Sequence, residues 1–268
     1  MTSLRTNTAL YLDNKARVAR QFSRAASRYD QGAQVQVDIA FDAMALLKGS
    51  YGRLLDIGCG TGRISRQLAP RCEQVVAIDL AEGMLAFASG QEDTQSNKIH
   101  WLQADAEHLP LADNCLDGVF SSMALQWCGN IQQVCQEIYR VLRPNGHGVL
   151  AILVQGSMDE LQESWLRLDS QRHVNKFHSG DEWHNGAKAA GFLVQHSEQV
   201  YTTWHRDVRE LLGSIKAIGA NVVTQTGNHA PIKRSDLAIL QQHYQQRYGR
   251  NGQLPLSYQL CFLQLHKG

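Results

Sequence analysis

The sequence predicts an α/β fold: a doubly wound, mostly parallel sheet of seven strands, preceded by a helical arm and interrupted late by a helical cap. Three observations carry that expectation. From Gly52 onward, short β-rich runs alternate with helical stretches, the pattern of a parallel sheet covered by helices on both faces. A glycine-rich turn, Asp56-Ile57-Gly58-Cys59-Gly60-Thr61-Gly62, falls between the first such run and the helix after it. Asp56, Asp79 and Asp105 stand at the ends of three successive strands, the edge at which open α/β sheets bind ligands.

Taken in order, residues 10–48 carry Ala, Val, Ile and Leu at mixed spacing and read as a helical arm, so that 1–48 is set apart from a main domain at 49–268. RLLDIG is the first strand, TGRISRQLAPR a helix, VVAIDL the second strand and EGMLAFASG a helix. KIHWLQAD and LDGVFSS give the third and fourth strands, and NIQQVCQEIYRVL a helix. GVLAILVQ is the fifth strand, opened by the turn Arg143-Pro144-Asn145-Gly146. Ser179 is placed to cap the helix that follows it and Gly191 to stop it. FLVQHSEQVYTTW and SYQLCFLQLHK are the last two strands. Between them, DVRELLGSIKAIGA and RSDLAILQQHYQQRYG, joined by the polar loop TQTGNHAPIK, form a cap at roughly 205–250.

A chain of 268 residues with 43% apolar and 19% charged residues is an ordinary globular protein. No apolar run approaches the roughly 18 residues of a membrane span, and the first twenty residues lack a secretory core. A cytoplasmic protein is expected. The six cysteines never form C-x-x-C, so neither a zinc site nor a disulfide framework is indicated. The net charge of +1 hides an asymmetry: residues 1–30 carry six bases against two acids, and residues 73–139 ten acids against Lys98 alone. Such a basic arm is a solvated surface or a face for an acidic partner.

The turn at 56–62 lets the backbone bend sharply and approach a ligand. A dinucleotide fingerprint needs its third glycine at position 63, which is Arg63, and no G-K-S or G-K-T closes a phosphate loop. Asp79 follows Gly58 by 21 residues, the spacing at which an acid takes ribose hydroxyls. Asp105 ends the third strand, where it can accept from an adenine amine.

The series LDIGCGTG, VVAIDLAEGML, ADAEHLPL and RVLRPNG resembles the motifs of class I S-adenosylmethionine-dependent methyltransferases over roughly residues 50–155. That resemblance implies a Rossmann-like methyltransferase fold. It sets Gly58, Gly60 and Gly62 beneath the cofactor, Asp56 at its methionine end and Asp79 on its ribose. Leu80 and Met84 would flank the adenine, and Asp105 and Ala106 complete its pocket. Further segments, FSRAASRYDQGAQVQ, MALQWCGN, LVQGSMDELQESW, SIKAIGAN and LPLSYQLCF, are similar to the malonyl-acyl carrier protein O-methyltransferases of biotin synthesis, nearly end to end. One departure is Ser121-Ser122, where that family has Ser-Asn; Ser122 can still donate and accept.

The family resemblance implies methyl transfer from S-adenosylmethionine to the free carboxylate of a malonyl thioester on acyl carrier protein. A carboxylate is already ionised near pH 7 and needs no general base, so neither a catalytic triad nor a metal is expected. Ser122, Met123, Gln126 and Trp127 after the fourth strand, and Gln155 after the fifth, can reach the methyl group. Trp127 could equally plug the core. Tyr29 of the arm would close over the cofactor as a hydrogen-bond donor. Arg172 and Lys176 are the candidate clamps for malonate, whereas Arg143 precedes the fifth strand and lies at the opposite edge. Acyl carrier protein would dock on the basic arm, or on Arg206, Arg209, Lys233 and Arg234 of the cap; no nucleic-acid or membrane partner is indicated, and a monomer is expected. Two other functions remain compatible with the core: methylation of another small carboxylate or quinone-like substrate, and cofactor binding without transfer.

Overall fold

A computed structural model describes residues 2–91, 95–168, 173–220 and 233–268. The strands β1 (Tyr51–Ile57), β2 (Cys72–Asp79), β3 (Ile99–Gln103), β4 (Leu116–Ser122), β5 (Leu142–Leu153), β6 (Leu193–His205) and β7 (Leu254–His266) form one sheet. Their order is β3-β2-β1-β4-β5-β7-β6, with β7 antiparallel to both neighbours and the other pairs parallel. The strand order reverses between β1 and β4, which opens a crevice at their carboxyl ends.

Strand residues alternate between two cores. Leu55, Ile57, Val119 and Leu150 pack toward α5 (Ile131–Val141) and α7 (Gly180–Ala190) through Ile138, Val134 and Trp183. Leu54, Phe120, Val149 and Ala151 face the other side, with α2 (Gln34–Leu46), α3 (Arg63–Leu68), α6 (Asp159–Trp165), α8 (Val208–Ala217) and α9 (Arg234–Tyr248). The expected cap on α7 is present: Ser179 Oγ accepts from the Glu182 amide, Glu182 accepts from the Ser179 amide, and Gly191 ends the helix at φ 110°. This reciprocal box satisfies two otherwise orphaned donors.

Three features differ from the sequence expectation. The arm is two helices, α1 (Thr2–Gly32) and α2, which meet at Ala33. Strand β5 starts at Leu142 and runs through Arg143-Pro144-Asn145-Gly146 with a register shift against β4, Asn145 taking φ 64°. That segment is a bulge within a strand rather than a turn before it. Helix α6 also joins the cap from outside the 205–250 interval, and most of the expected loop TQTGNHAPIK lies outside the described residues.

Helix α1 crosses α4 (Glu82–Ser89) at Gly83, where a Cβ would meet backbone and side-chain atoms of Ser23 at 2.7–2.8 Å. Only glycine permits that approach, and the Gly83 amide donates to Ser23 Oγ at 3.1 Å. Ala26 of α1 packs there against Ala81 and Met84. The arm is thereby seated over the crevice, and it reaches α8 through Ala25 against Gly219.

Candidate functional site

The turn after β1 is built by backbone hydrogen bonds. The Gly58 and Cys59 amides donate to the Ile78 carbonyl at 2.8 and 2.9 Å, tying the turn to β2. Gly58 sits at φ 73°, and a Cβ there would come within 2.1 Å of the Ala124 side chain, so the position requires glycine. Asp79 accepts from the Gly60 amide at 2.9 Å and the Ala81 amide at 2.8 Å, one on each oxygen. Burial pushes the Asp79 carboxyl up from its ordinary value, and the amides of Ala81, Gly60 and Leu80 oppose that shift.

Three cavities converge at the crevice. A cleft enclosing about 840 Å³ is lined by Gly58, Gly60, Asp79, Leu80, Met84, Asp105, Ala106, Ser122 and Trp127. A recess of about 520 Å³ lies over the glycine turn and is lined by Asp30, Gln36, Asp56, Gly60, Thr61 and Ser122. A larger chamber of about 1270 Å³ is walled by Phe22, Leu153, Met158, Leu161, Trp165, Phe177, Leu212, Ile215 and Tyr258, with Gln36, Gln126, His173 and Lys216 as polar members. Tyr29 and Met123 line all three and mark their junction.

The polar groups at that junction fall into two kinds. Asp56 is 2% exposed and accepts from Ser65 Oγ at 2.6 Å. Burial, opposed by Ser65 and reinforced by Asp79, raises its pKa to about 7. By contrast Ser122 Oγ, Gln126 Oε1 and Gln36 Oε1 are buried without a partner. Gln126 is held at its other end, donating Nε2 to the Met123 carbonyl at 2.7 Å, and Met123 itself takes φ 57°. Burial first, then the charges of Asp79 and Asp30, push the Tyr29 phenol well above its ordinary value, so it stays protonated.

Most of the residues expected from the sequence are brought together here, and three of the described ones are not. Gly62 lines none of the three cavities; it caps α3, with Trp101 where a Cβ would go. Gln155 is exposed beyond β5 and also lines none of them, because Leu153 and Met158 take the wall on either side of it. Lys176 is likewise exposed outside the chamber, between its lining neighbours Asn175 and Phe177. Arg172 lies outside the described residues. Arg143 sits at the opposite edge as expected, ion-paired to Asp117.

The structure adds residues that sequence reasoning passed over. Lys15 enters the cleft from α1 and pairs with Asp105 at 2.5 Å and Glu107 at 2.6 Å. Glu107 is 2% exposed, and its other oxygen accepts from the Gly129 and Asn130 amides. Asp105, Glu107 and His108 lie close enough to share an ion, but the Lys15 ammonium already bridges the first two. Gln36 carries no signal beyond its place at the end of the arm motif.

A switch-point crevice roofed by an arm, with a carboxylate ending β2 beside a glycine turn, defines a class I S-adenosylmethionine-dependent methyltransferase. Residues 55–150 match the family model described as a methyltransferase domain. The chain is 37% identical over 250 residues to the malonyl-[acyl-carrier protein] O-methyltransferase of Serratia marcescens, covering 93% of this chain and 94% of the relative. It is 36% identical over 252 residues to that of Pectobacterium atrosepticum, covering 93% and 95%. The fold also matches geranyl diphosphate C-methyltransferase from Streptomyces coelicolor, at a TM-score of 0.53 and 12% identity over 85% of this chain and 78% of that one. The chain belongs to the malonyl-[acyl-carrier protein] O-methyltransferase family.

The residues fit the cofactor of this family. Gly60 has no atom within 4 Å of where a Cβ would stand, so backbone alone faces the cleft. The cleft is lined by Asp79 and Asp105, acceptors for ribose hydroxyls and an adenine amine, and the recess by Asp30 and Asp56, which suit an ammonium, and Gln36 Oε1 and Ser122 Oγ are free to bond a ligand.

Proposed function

We infer that this chain transfers the methyl group of S-adenosylmethionine to the free carboxylate of a malonyl thioester on acyl carrier protein, giving the methyl ester that starts pimeloyl and biotin synthesis. The observation that carries this function is the junction at Tyr29 and Met123, where a cofactor-sized cleft opens into a largely apolar chamber roofed by the arm and cap. Similarity to the carrier-protein methyltransferases extends through those same outlying segments. Among the described residues no helix is long and apolar enough to cross a membrane, and a cytoplasmic site of action agrees with a soluble carrier substrate.

In this assignment Asp79 takes the ribose hydroxyls on the lone pairs its backbone contacts leave free. Leu80, Met84 and Ala106 sandwich the adenine, and Asp56 faces the methionine end behind Gly58 and Gly60. Asp105 is already engaged by Lys15 and the Glu107 amide, so it offers the adenine only its remaining acceptor capacity.

S-adenosylmethionine, when bound, supplies a methyl group activated by its sulfonium. The chain has three tasks: to align a carboxylate oxygen behind that methyl at roughly 3–3.5 Å, to exclude water, and to leave the oxygen nucleophilic. Tyr29 and Ser122 answer the first task as hydroxyl donors at the junction, and Gln126 fixes the Met123 carbonyl beside them. Phe22 and Trp127, edge to face with ring centres 5.5 Å apart, answer the second. The neutrality of Tyr29 and Ser122 answers the third, because a full cation on the carboxylate would damp its nucleophilicity.

The test is transfer of a radiolabelled methyl group to purified malonyl-acyl carrier protein, with malonyl-coenzyme A, free malonate and acetyl-acyl carrier protein alongside. Labelling that needs both the free carboxylate and the carrier is expected. Intact cofactor binding with no labelled acceptor would overturn the assignment.

A further inference from the structure

Gln36 is 8% exposed and sits near the start of α2. It lines the recess beside Asp56 and Asp30 and also the chamber beside Met123 and Gln126. Its Oε1 is buried with no partner, and its side chain makes no hydrogen bond to any described residue. A buried amide oxygen left in this state opposes folding, since it has given up water without gaining a donor. The protein supplies that oxygen no donor, and it faces two cavities in which a ligand can supply one.

An amide has two ends of opposite character: its oxygen only accepts and its nitrogen only donates. The two cavities that share Gln36 call for the same division. The recess is acidic and suits the ammonium of the cofactor's methionine end, which donates. The chamber is largely apolar and, in the function proposed above, admits a carboxylate, which accepts. Turned the other way, the amide would set donor against donor and acceptor against acceptor, so both ligands select one orientation.

We propose that Gln36 bridges the two substrates, its Oε1 accepting from the cofactor ammonium and its Nε2 donating to the acceptor carboxylate. This inference rests on the carboxylate-methylation function and deepens it. Gln36 is a binding residue that reads the acceptor's charge without neutralising it. It also couples the two ligands, because whichever binds first orients the amide for the second.

Two variants separate this role from a structural one. Gln36→Glu keeps the shape and makes the side chain anionic, which favours an ammonium and repels a carboxylate; Gln36→Leu removes both bonds. Cofactor affinity is measured by calorimetry with S-adenosylmethionine alone, and acceptor KM with malonyl-acyl carrier protein, both at pH 8.5 after thermal melts establish folding. Gln36→Glu is expected to bind the cofactor as tightly as the parent or tighter, while its acceptor KM rises about 10- to 100-fold; Gln36→Leu should weaken both by about 10-fold. Equal losses on both ligands in both variants, or an acceptor KM within about twofold of the parent, would overturn the proposal. If the unsubstituted protein labels no malonyl-acyl carrier protein, the proposed function has failed separately. Calorimetry then decides the cofactor half, which equal cofactor affinities for the Glu and Leu variants would sink.

Discussion

The cofactor cleft and the acceptor chamber share a wall but are built by opposite means. Around the cleft and the recess the carboxylates are already bonded: Asp79 by two backbone amides, Asp56 by Ser65, Asp105 and Glu107 by Lys15. At the junction with the chamber, Ser122, Gln126 and Gln36 each present an unpartnered oxygen. The cleft and recess are a preorganised set of carboxylates held by their own partners before any ligand arrives. The junction is a set of neutral groups waiting for a ligand to complete them, which suits an anion that must remain nucleophilic. Both arrangements cost stability, the first through buried charge and the second through buried polar groups whose hydrogen bonds a ligand completes.

The largest way to break that contrast is to remove the charge the cleft is organised around. Asp79→Ala deprives the Gly60 and Ala81 amides of their acceptor together with the ribose contact. Hydrogen bonds to a charged group contribute about 1.5–3 kcal/mol each, so cofactor affinity should fall at least about 100-fold by calorimetry. A Kd within tenfold of the parent would show that the turn, and not the carboxylate, recognises the cofactor.

The junction should respond differently. Tyr29→Phe removes one hydroxyl and keeps the ring that packs near Phe22. The expected result is a drop of about 10- to 100-fold in kcat, with cofactor Kd changed by less than about threefold. Loss of cofactor affinity instead would move Tyr29 from the junction to the cleft. Because burial and the nearby carboxylates hold its phenol protonated, the parent's rate should show no alkaline limb from this group below pH 10.

How much of each region could be read in the sequence follows from how it is built. The cleft depends on contiguous residues whose type is forced: Gly58 by its backbone angle and the Ala124 contact, Asp79 by its place at a strand end. The strand LDGVFSS and the Ser179–Gly191 helix were legible for the same reason, since alternation and caps are local signals. The chamber gathers residues from α1, α2, α6, α8 and β7 whose proximity exists only after folding. Helix α6 has seven residues and begins after Met158 at φ 59° with no side-chain cap, so nothing local announced it. Gly62 follows from the glycine motif, Gln155 from its place after the fifth strand and Lys176 from its charge, and each belongs to a segment whose neighbours, not itself, face the cavities.

A middle-sized effect sharpens the comparison by exposing the cost of a buried charge. Burial raises the Asp56 pKa to about 7 from its ordinary 3.8. A carboxyl whose folded pKa lies above its unfolded one binds protons more tightly when folded. Its contribution to stability is therefore complete below about pH 4 and lost as pH rises through about 7. The span corresponds to about 4 kcal/mol at most. Asp56→Asn, which can still accept from Ser65, should raise Tm at pH 8 by about 4–8 °C if about 2 kcal/mol is recovered, while weakening cofactor binding. In the parent, cofactor affinity should fall as pH drops through about 7, and that dependence should vanish in the variant. A variant that melts lower at pH 8 would mean that Asp56 is held by something stronger than Ser65.

The smallest expected effect lies at the outer surface and separates a carrier substrate from a free one. Arg20, Arg24 and Arg28 recur every four residues on the exposed side of α1, and among the described residues none is paired with a carboxylate. One of the alternative docking charges is already spent, Arg206 on Glu210. An acidic carrier should therefore feel the arm more than the cap. Arg24→Glu with Arg28→Glu is expected to raise the KM for malonyl-acyl carrier protein about five- to tenfold at low salt. The difference should shrink toward 0.5 M salt, where the screening length is only a few ångströms. Malonyl-pantetheine, which has no acidic carrier, should be methylated with an unchanged KM by parent and variant alike. Equal losses on both substrates would place these arginines in the support of the arm, and no loss on either would return the docking role to Arg209 and Arg234.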